Sequence, residues 1–378
     1  MSLEDAARSA DVSEEKLGAW EAGSDAPSIP QLKKLANIYK RPMSVMFLAE
    51  PPQDFMPLKD FRHLPDVGAR VLSPKLAFEI RAAQERRQIA LEILEDLDEP
   101  PQELRVSAQL SDDAETVAAR LRDRLGVSIL TQNRWRDPNK AFRAWRDAIE
   151  NAGVLVFALS GAHHQIPLAE VRGFAIADRP LPVVVVNGQD GQHGRIFTLM
   201  HELAHIALGL SAIENSFEPG DTLPPAERAI EAFCNKVAAA ALMPQAAISA
   251  DDIVRSKPSG LTSWTDDEIE ELAKRFSVSR EALVIRLGQM GRASAGFVKQ
   301  KRADYRRYYT DIEDEEAGVG RGPPPHIQLL SHIGRSFARL VFQGYYERRL
   351  SLNSVSAYLG TQAKHVAKVE QAAFSGAT

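Results

Sequence analysis

The chain has 378 residues, a formal net charge of −5 and a soluble, globular composition, and its length predicts two to four modules. It has neither an apolar run long enough to span a bilayer nor an N-terminal charged-then-apolar signal, so membrane and secreted classes are excluded and a cytoplasmic location is expected. One cysteine, Cys234, excludes an internal disulfide, and the negative charge gives no general attraction to nucleic acid.

Residues 1–50 show the pattern of a compact helical module. Ser13 is placed to cap a second helix at its start and Gly23 to end it. The pattern AAxxxxVSxxxLxxWExG, which ends at Gly23, is followed by PxxxQLxxLAxxY. Together they resemble the Xre-type helix-turn-helix of phage repressors, and the Trp20-Glu21-x-Gly23 step is specific for it.

Two features of this segment depart from the resemblance. The chain starts where the second helix of that family would begin, so the first helix is absent, and the recognition helix opens with Glu14 and Glu15. Residues 1–50 carry six basic and eight acidic side chains, a net charge of −2, whereas DNA-binding modules show a basic surface. We therefore favour a docking or vestigial module, with DNA binding as the alternative.

Three further regions follow, and the fold class predicted for the whole chain is α+β and predominantly helical. Residues 51–110 are predicted to be a linker, containing Asp60-Phe61-Arg62, and then a long amphipathic helix. Residues 111–248 combine helices with strands near 154–158, 173–177 and 182–187, and so predict a small sheet. Residues 249–378 are predicted to be a helical regulatory module, with a flexible joint formed by residues 311–316 and 320–325.

The stretch from Arg195 to Gly209 contains a His-Glu-x-x-His motif in an almost wholly apolar surround. On a helix, His201 and His205 project from one face and can share a zinc ion, while Glu202 lies beside them as a general base toward water. Polar side chains are costly on a buried helix unless something satisfies them. The motif therefore predicts a metallopeptidase site.

A catalytic zinc site takes three protein ligands, so one more is needed. The downstream acids offer two groups. The first lies in a stretch rich in Gly, Pro and Ser, where geometry is loosely held, and the second lies on a helix that Pro224-Pro225 can open. Glu231 is favoured because it is central to a polar stripe with Asn235 one turn on as a supporting partner; it could instead cap or form a salt bridge. The other candidates are Glu214, Glu218, Asp221 and Glu227.

These motifs together resemble the ImmA/IrrE family of metallopeptidases. The resemblance rests on Arg195-x-Phe-Thr-Leu-x-His-Glu-Leu-x-His205, the preceding Val-rich strand ending in Asn187, and Glu231-x-x-x-Asn235 followed by Leu-Met-Pro244. The Xre-like start and the segment from Phe276 to Leu287 match members with a fused repressor-like module. The resemblance implies a zincin-type, gluzincin-like fold with Zn²⁺ held by His201, His205 and Glu231, and Glu202 as the general base.

Two sets of residues have no assigned role at this stage. His163, His164 and His193 are candidates for stabilising an oxyanion, although loop histidines are more often solvated. Residues 352–359 and 365–374, joined at Gly360-Thr361, again resemble a helix-turn-helix, a pattern that is also common in all-helical domains.

The expected function is that of a zinc-dependent endopeptidase. The family resemblance implies an Xre-type transcriptional repressor as the protein substrate, within a stress, phage or mobile-element circuit. The alternative is a helix-turn-helix transcription regulator or toxin–antitoxin component whose peptidase fold is structural or senses a ligand.

Overall fold

A computed structural model describes residues 1–41, 43–48, 72–161, 164–214, 224–258, 260, 263–316 and 323–375, with side chains of 306–316 and Glu214 not described. The chain divides into two compact units, residues 1–86 and 87–378. The predicted linker around Asp60-Phe61-Arg62 lies outside the described residues. In the described ranges, no helix is both long and apolar enough to cross a membrane.

The first unit begins with three short helices, α1 (Leu3–Ala10), α2 (Glu14–Glu21) and α3 (Ile29–Ile38), and a 3-10 turn (Met43–Phe47). The hydroxyl of Ser13 accepts a hydrogen bond from the Lys16 N–H, which confirms the predicted cap. Gly23 adopts a left-handed φ of 71° just after α2 ends. The helices share a core formed by Ala6, Ala7, Ala10, Leu17, Trp20 and Leu35.

A long helix, α4 (Pro74–Asp96), runs from the first unit into the second, which confirms the helix predicted there. The remaining elements alternate helices with short strands, and their bounds are as follows: α5 (Ala114–Leu125), α6 (Ile129–Gln132), α7 (Pro138–Asn151), β1 (Leu155–Leu159), β2 (Gly173–Ile176), β3 (Val183–Asn187), α8 (Gln192–Leu208), β4 (Ala212–Glu214), α9 (Pro225–Leu242), α10 (Gln245–Ala250), α11 (Asp252–Arg255), α12 (Asp266–Phe276), α13 (Arg280–Gln289), α14 (Ala295–Glu316), α15 (Pro325–Ile333), α16 (Arg335–Tyr346), α17 (Leu352–Leu359) and α18 (Val366–Phe374).

The four strands form one sheet in the order β1-β3-β2-β4. β1 and β3 are parallel, whereas β2 pairs antiparallel with both β3 and β4. β1, β2 and β3 are buried along their whole length, as their uninterrupted apolar sequences require. α8 packs against β2 and β3, and α7 and α15 pack against β1. The predicted α+β, mainly helical fold is confirmed, and β4 is an additional strand.

One expectation about the C-terminal region is wrong. The sequence predicts a flexible joint that includes residues 311–316, but their backbone forms the last turns of α14. Gly and Pro interrupt a helix because Gly has no Cβ and Pro has no backbone N–H. Acidic residues have both groups and therefore do not interrupt it. Residues 317–322, which include the start of the predicted Gly/Pro joint, lie outside the described residues.

The C-terminal helices cover the outer edge of strand β1. The carbonyl of Val156 accepts a hydrogen bond from Arg146 Nη2 at 2.7 Å, and Nδ1 of His332 lies 2.8 Å from the carbonyl of Ala158. Gly334, with φ of 84°, joins α15 to α16 so close to this strand that a Cβ there would lie 2.7 Å from the Val156 carbonyl. The outward-facing carbonyls of Val156 and Ala158 on this edge strand thereby have hydrogen-bond partners.

A buried polar network holds the C-terminal end of α9. Arg122 donates to the carbonyl of Ala241 at 2.7 Å and to the Gln132 amide oxygen at 2.6 Å. The Gln132 amide donates to the carbonyls of Leu242 and Phe276 at 2.8 and 2.7 Å. Leu242 and Phe276 are the last residues of α9 and α12, and their carbonyls have no donor within their own helix. The side chain of Gln132 supplies that donor to both and so holds the two helix ends together.

We predict that Gln132→Ala lowers the free energy of unfolding by about 3 kcal/mol, because the buried carbonyls of Leu242 and Phe276 lose their Gln132 donor and the Arg122 guanidinium loses one of its acceptors. Urea denaturation of the purified variant measures this. Gln371→Ala, at an exposed glutamine, is the matched control and should change stability by less than about 0.5 kcal/mol. Equal stability of the two variants would contradict a structural role for the network.

Candidate metal centre

The turn between β3 and α8 fixes where the motif helix begins. Asn187 is fully buried, its amide donates to the carbonyls of Ile166 and Val171 at 2.8 Å each, and its oxygen accepts from the Gln189 N–H. Arg195 donates to the carbonyl of Asp190 at 2.7 Å. Two positions noted in the sequence motif thus hold the loop that leads into α8.

Helix α8 places His201, Glu202 and His205 in the interior, each at most 1 % exposed. The spacing of the two histidines brings them to the same face, with their Nε2 atoms 3.0 Å apart. The helix ends at Gly209, which adopts a left-handed conformation.

Glu231 of α9 reaches this pair of histidines. One carboxylate oxygen lies 3.2 Å from Nε2 of His201 and the other 3.4 Å from Nε2 of His205. Ligand bonds of 2.0–2.1 Å to one tetrahedral zinc ion place the donor atoms about 3.3 Å from each other. The three separations, 3.0, 3.2 and 3.4 Å, therefore fit a shared metal ion, and the two nitrogens and one oxygen suit zinc.

Asn235 lies one turn after Glu231 on α9 and contacts the other nitrogen of His201. Its side-chain oxygen is 3.1 Å from His201 Nδ1. An oxygen acceptor there keeps the proton on Nδ1 and leaves the Nε2 lone pair for a metal. The supporting partner expected at Asn235 is thus present, but it serves His201 rather than Glu231.

The protonation states favoured by this environment are those that metal ligation needs. Burial raises the pKa of Glu231, but hydrogen bonds and charge interactions with His201 and His205 outweigh it and lower the pKa to about 2. Burial lowers the pKa of His205. At neutral pH the cluster therefore offers an ionised carboxylate and a neutral imidazole.

Two segments of the chain match known protein families. Residues 149–288 match the IrrE N-terminal-like domain. Residues 1–45 match a helix-turn-helix family. The predicted resemblance is confirmed for these two segments, and the IrrE-like match continues through α13.

A curated relative, the radiation response metalloprotease IrrE of Deinococcus radiodurans, is 34 % identical over 152 residues. The aligned region is 36 % of this chain and 43 % of that protein, so the chain spans less than half the length of the relative it matches. The likeness is therefore to a metalloprotease domain, which implies a metal ion at its site.

Gly173 of β2 allows the motif helix of the IrrE-like domain to lie close to the sheet. A Cβ at this position would lie 2.4 Å from Thr198 Cγ2, 2.8 Å from the Val185 carbonyl and 3.3 Å from Glu202 Oε1. The Glu202 carboxylate therefore lies beside β2 and next to the histidines. The sequence motifs do not predict this close packing, although a glycine within a strand is typical of such an approach.

The other candidate residues divide between described and undescribed positions. Among the described side chains, Glu231 is the carboxylate that joins the two motif histidines; Glu227 is on the same helix but outside that cluster. Glu218, Asp221 and His163 lie outside the described residues, as does the side chain of Glu214. The ring of His164 stacks on that of His332 with centroids 3.7 Å apart.

A cleft of about 670 Å³ lies next to the cluster, between α8, α9 and α13. Asn235 and Phe197 line it, and the Phe197 ring centroid is 6.4 Å from that of His201. His193, a candidate for oxyanion stabilisation, lines the same cleft, and burial lowers its pKa. The cleft gives the IrrE-like domain a largely apolar space beside the candidate metal ligands.

We predict that Gly173→Ala destabilises the fold by about 2 kcal/mol, because the new methyl group overpacks the contact with α8. Chemical denaturation in the presence of a chelator measures this without a contribution from metal. Thr198→Ser removes the closest atom, so Gly173→Ala/Thr198→Ser should lose less stability than the two single changes added together.

Gly296→Ala is the matched control for the glycine substitution. This glycine is within α14 and its Cβ position is open, so the change should be neutral or stabilising by up to about 1 kcal/mol. Full stability of Gly173→Ala would show that α8 and β2 do not need this close approach.

Proposed function

We propose that the IrrE-like domain is a zinc-dependent endopeptidase. His201, His205 and Glu231 are the proposed zinc ligands, Glu202 is the proposed general base and acid, and Asn235 positions His201. The observation that carries the proposal is the separation of the three donor atoms, which fits one tetrahedral ion.

The side chains around the cluster divide the work of peptide hydrolysis. A bound zinc ion would polarise a peptide carbonyl and lower the pKa of water. Glu202 would take the proton from the attacking water and pass it to the leaving amine, and its full burial beside β2 keeps the carboxylate in one position. Asn235 would hold the proton on His201 Nδ1, so that His201 keeps one orientation throughout.

We predict about one zinc ion per purified chain and its loss in His201→Ala and His205→Ala, because two ligands cannot hold the ion well. Glu231→Gln should lose most of the metal, and Asn235→Ala should weaken zinc affinity roughly 10- to 100-fold. Elemental analysis and competition with a chelator give these values. Glu227→Gln, on the same helix, is the control and should keep full occupancy; loss of zinc there instead of at Glu231 would reassign the third ligand.

We propose that the substrate is an Xre-type transcriptional repressor, cut at one exposed segment so that its genes are released. The support is the helix-turn-helix match of residues 1–45 together with the resemblance of the catalytic domain to the ImmA/IrrE family. Such modules associate with their own kind, so residues 1–50 would dock the substrate outside the cleft and supply selectivity that a narrow site lacks.

A second function is favoured by the helix-turn-helix match, namely a transcription regulator, or a toxin–antitoxin component, whose peptidase fold is structural or senses a ligand. The two proposals differ in whether Glu202 is needed. A regulator would work without this carboxylate, whereas a peptidase would not.

We predict that the zinc-loaded protein cleaves a cognate repressor and that Glu202→Gln lowers the rate at least about 100-fold while keeping zinc and fold. Incubation with candidate repressors, followed by mass spectrometry of the fragments, measures cleavage, and a chelator should abolish it. Deleting residues 1–50 should raise KM more than it lowers kcat.

Glu227→Gln is the control for this experiment and should cleave at the unsubstituted rate. Full biological effect of a folded, metal-loaded Glu202→Gln variant would favour the regulator. Digestion of unfolded casein with no preference for a repressor would contradict the docking proposal while leaving the peptidase intact.

A further inference from the structure

The last two helices repeat the design of the first two. α1 begins after Ser2, whose hydroxyl accepts from the N–H three residues on, and α17 begins after Ser351 with the same hydrogen bond. Each helix has eight residues and ends at a left-handed residue, Asp11 with φ of 60° and Gly360 with φ of 64°. The buried positions also correspond at equal spacing: Ala6 with Val355, Ala10 with Leu359, Leu17 with Val366, and Trp20 with Val369.

The backbone hydrogen bonds of the two turns correspond as well. The N–H of Asp11 points to the carbonyls of Ala7 and Arg8, and the N–H of Gly360 points to those of Ser356 and Ala357. Because residues 1–45 match a helix-turn-helix family, the same serine cap on the first helix, the same turn and the same buried positions in residues 351–374 indicate a second helix-turn-helix. The start of its second helix differs: a 3-10 turn (Ala363–His365) precedes α18, and Gln362 makes no side-chain cap hydrogen bond where Ser13 does. Ser356, like Ala7, puts a small residue where the two helices of such a unit come close.

The N-terminal helix-turn-helix, residues 2–21, and the C-terminal one, residues 351–374, differ in the charge of the segment that follows the turn. In α2, residues 14–21 contain three glutamates and one lysine. At the corresponding positions, residues 363–370 contain two lysines, one histidine and one glutamate. Lys364 stands where the first unit has Glu15, and Lys368 stands where it has Ala19. The C-terminal helix-turn-helix is therefore basic where the N-terminal one is acidic.

The basic side chains of the C-terminal helix-turn-helix point away from its core. Lys364, His365 and Lys368 are exposed, while Val366 and Val369 between them are buried. Arg348 and Arg349, in the turn before α17, are also exposed. Within the part of the chain that the structure describes, the four lysine and arginine side chains make no ion pair, and the nearest acid in sequence on α18, Glu370, is hydrogen-bonded to the Tyr346 hydroxyl.

We propose that residues 351–374 bind double-stranded DNA, with the exposed face of residues 363–371 in the major groove. A helix of this kind fits the width of that groove, and its first residues reach the base edges. Lys364, His365 and Lys368 are the groove-facing groups, and Arg348 and Arg349 contact phosphates next to the preceding helix. Residues 335–374 hold six basic and two acidic side chains in a chain of net charge −5, so this is a local basic surface of the kind DNA requires.

Binding of the full-length protein to a fluorescently labelled 30-base-pair duplex, measured by anisotropy from 50 to 200 mM KCl, tests the proposal. Lys364→Gln/Lys368→Gln, which removes the groove-facing lysines, should weaken binding at least about tenfold. Arg348→Gln/Arg349→Gln should make the slope of log K against log salt shallower by about two, one for each phosphate contact removed. Lys33→Gln/Lys34→Gln removes the same charge from an exposed lysine pair on α3 and should bind within about twofold of the unsubstituted chain.

Three results would overturn the proposal. One is the absence of binding by the unsubstituted chain at 50 mM KCl; another is a larger loss in the Lys33/Lys34 variant, which would assign binding to the N-terminal unit. The third is competition by polyglutamate as effective as that by unlabelled duplex, which would identify an acidic protein as the partner. Circular dichroism verifies that the variants are folded. The Lys364/Lys368 variant lies outside both the proposed docking module and the zinc cluster and should keep its zinc and repressor cleavage, so this test is independent of the proposed peptidase activity.

Discussion

The candidate site depends on the burial of polar donors where α8 meets α9. Two buried imidazoles and a partly buried carboxylate lie within hydrogen-bond distance of each other in a mainly apolar interior. Removing such groups from water costs free energy unless strong partners replace the water. A shared metal ion is such a partner, so metal binding and the folding of this domain are expected to be coupled.

The spacing of the motif explains why a candidate site could be proposed from the sequence. His201, Glu202 and His205 are set by helix geometry alone, and Glu231 by its place on the following helix. Helix limits were predicted well where capping residues mark them, as at Ser13 before α2 and Gly23 just after it. Helix caps and the motif spacing depend on residues within a few positions of each other, so they can be predicted without knowing the tertiary structure.

The parts that could not be predicted depend on interactions between distant segments. The histidine that Asn235 supports, the space that Gly173 leaves for α8, and the pair of helix ends held by Gln132 each join residues far apart in sequence. β4 has only three residues, too few for an alternating pattern to be recognised. The joint predicted at residues 311–316 is wrong because a run of acidic residues does not end a helix.

The two helix-turn-helix units show how one backbone design can carry opposite surfaces. Buried positions, the serine cap of the first helix and the left-handed turn coincide, because these decide whether the unit folds. The exposed positions of the helix after the turn contribute little to folding, so their charge is free to differ. Acidic side chains in one unit and basic side chains in the other suit different partners for the same chain.

The cover over strand β1 has a consequence for shortened forms of this protein. Helices α15 and α16, with Arg146 and His332, occupy the carbonyls along the outer edge of that strand. A chain cut before residue 325 would keep the whole metal cluster but present an apolar edge strand with a missing cover. Such an edge pairs readily with another copy of itself, so a shortened protein would self-associate through its sheet, and loss of solubility would be mistaken for loss of the active site.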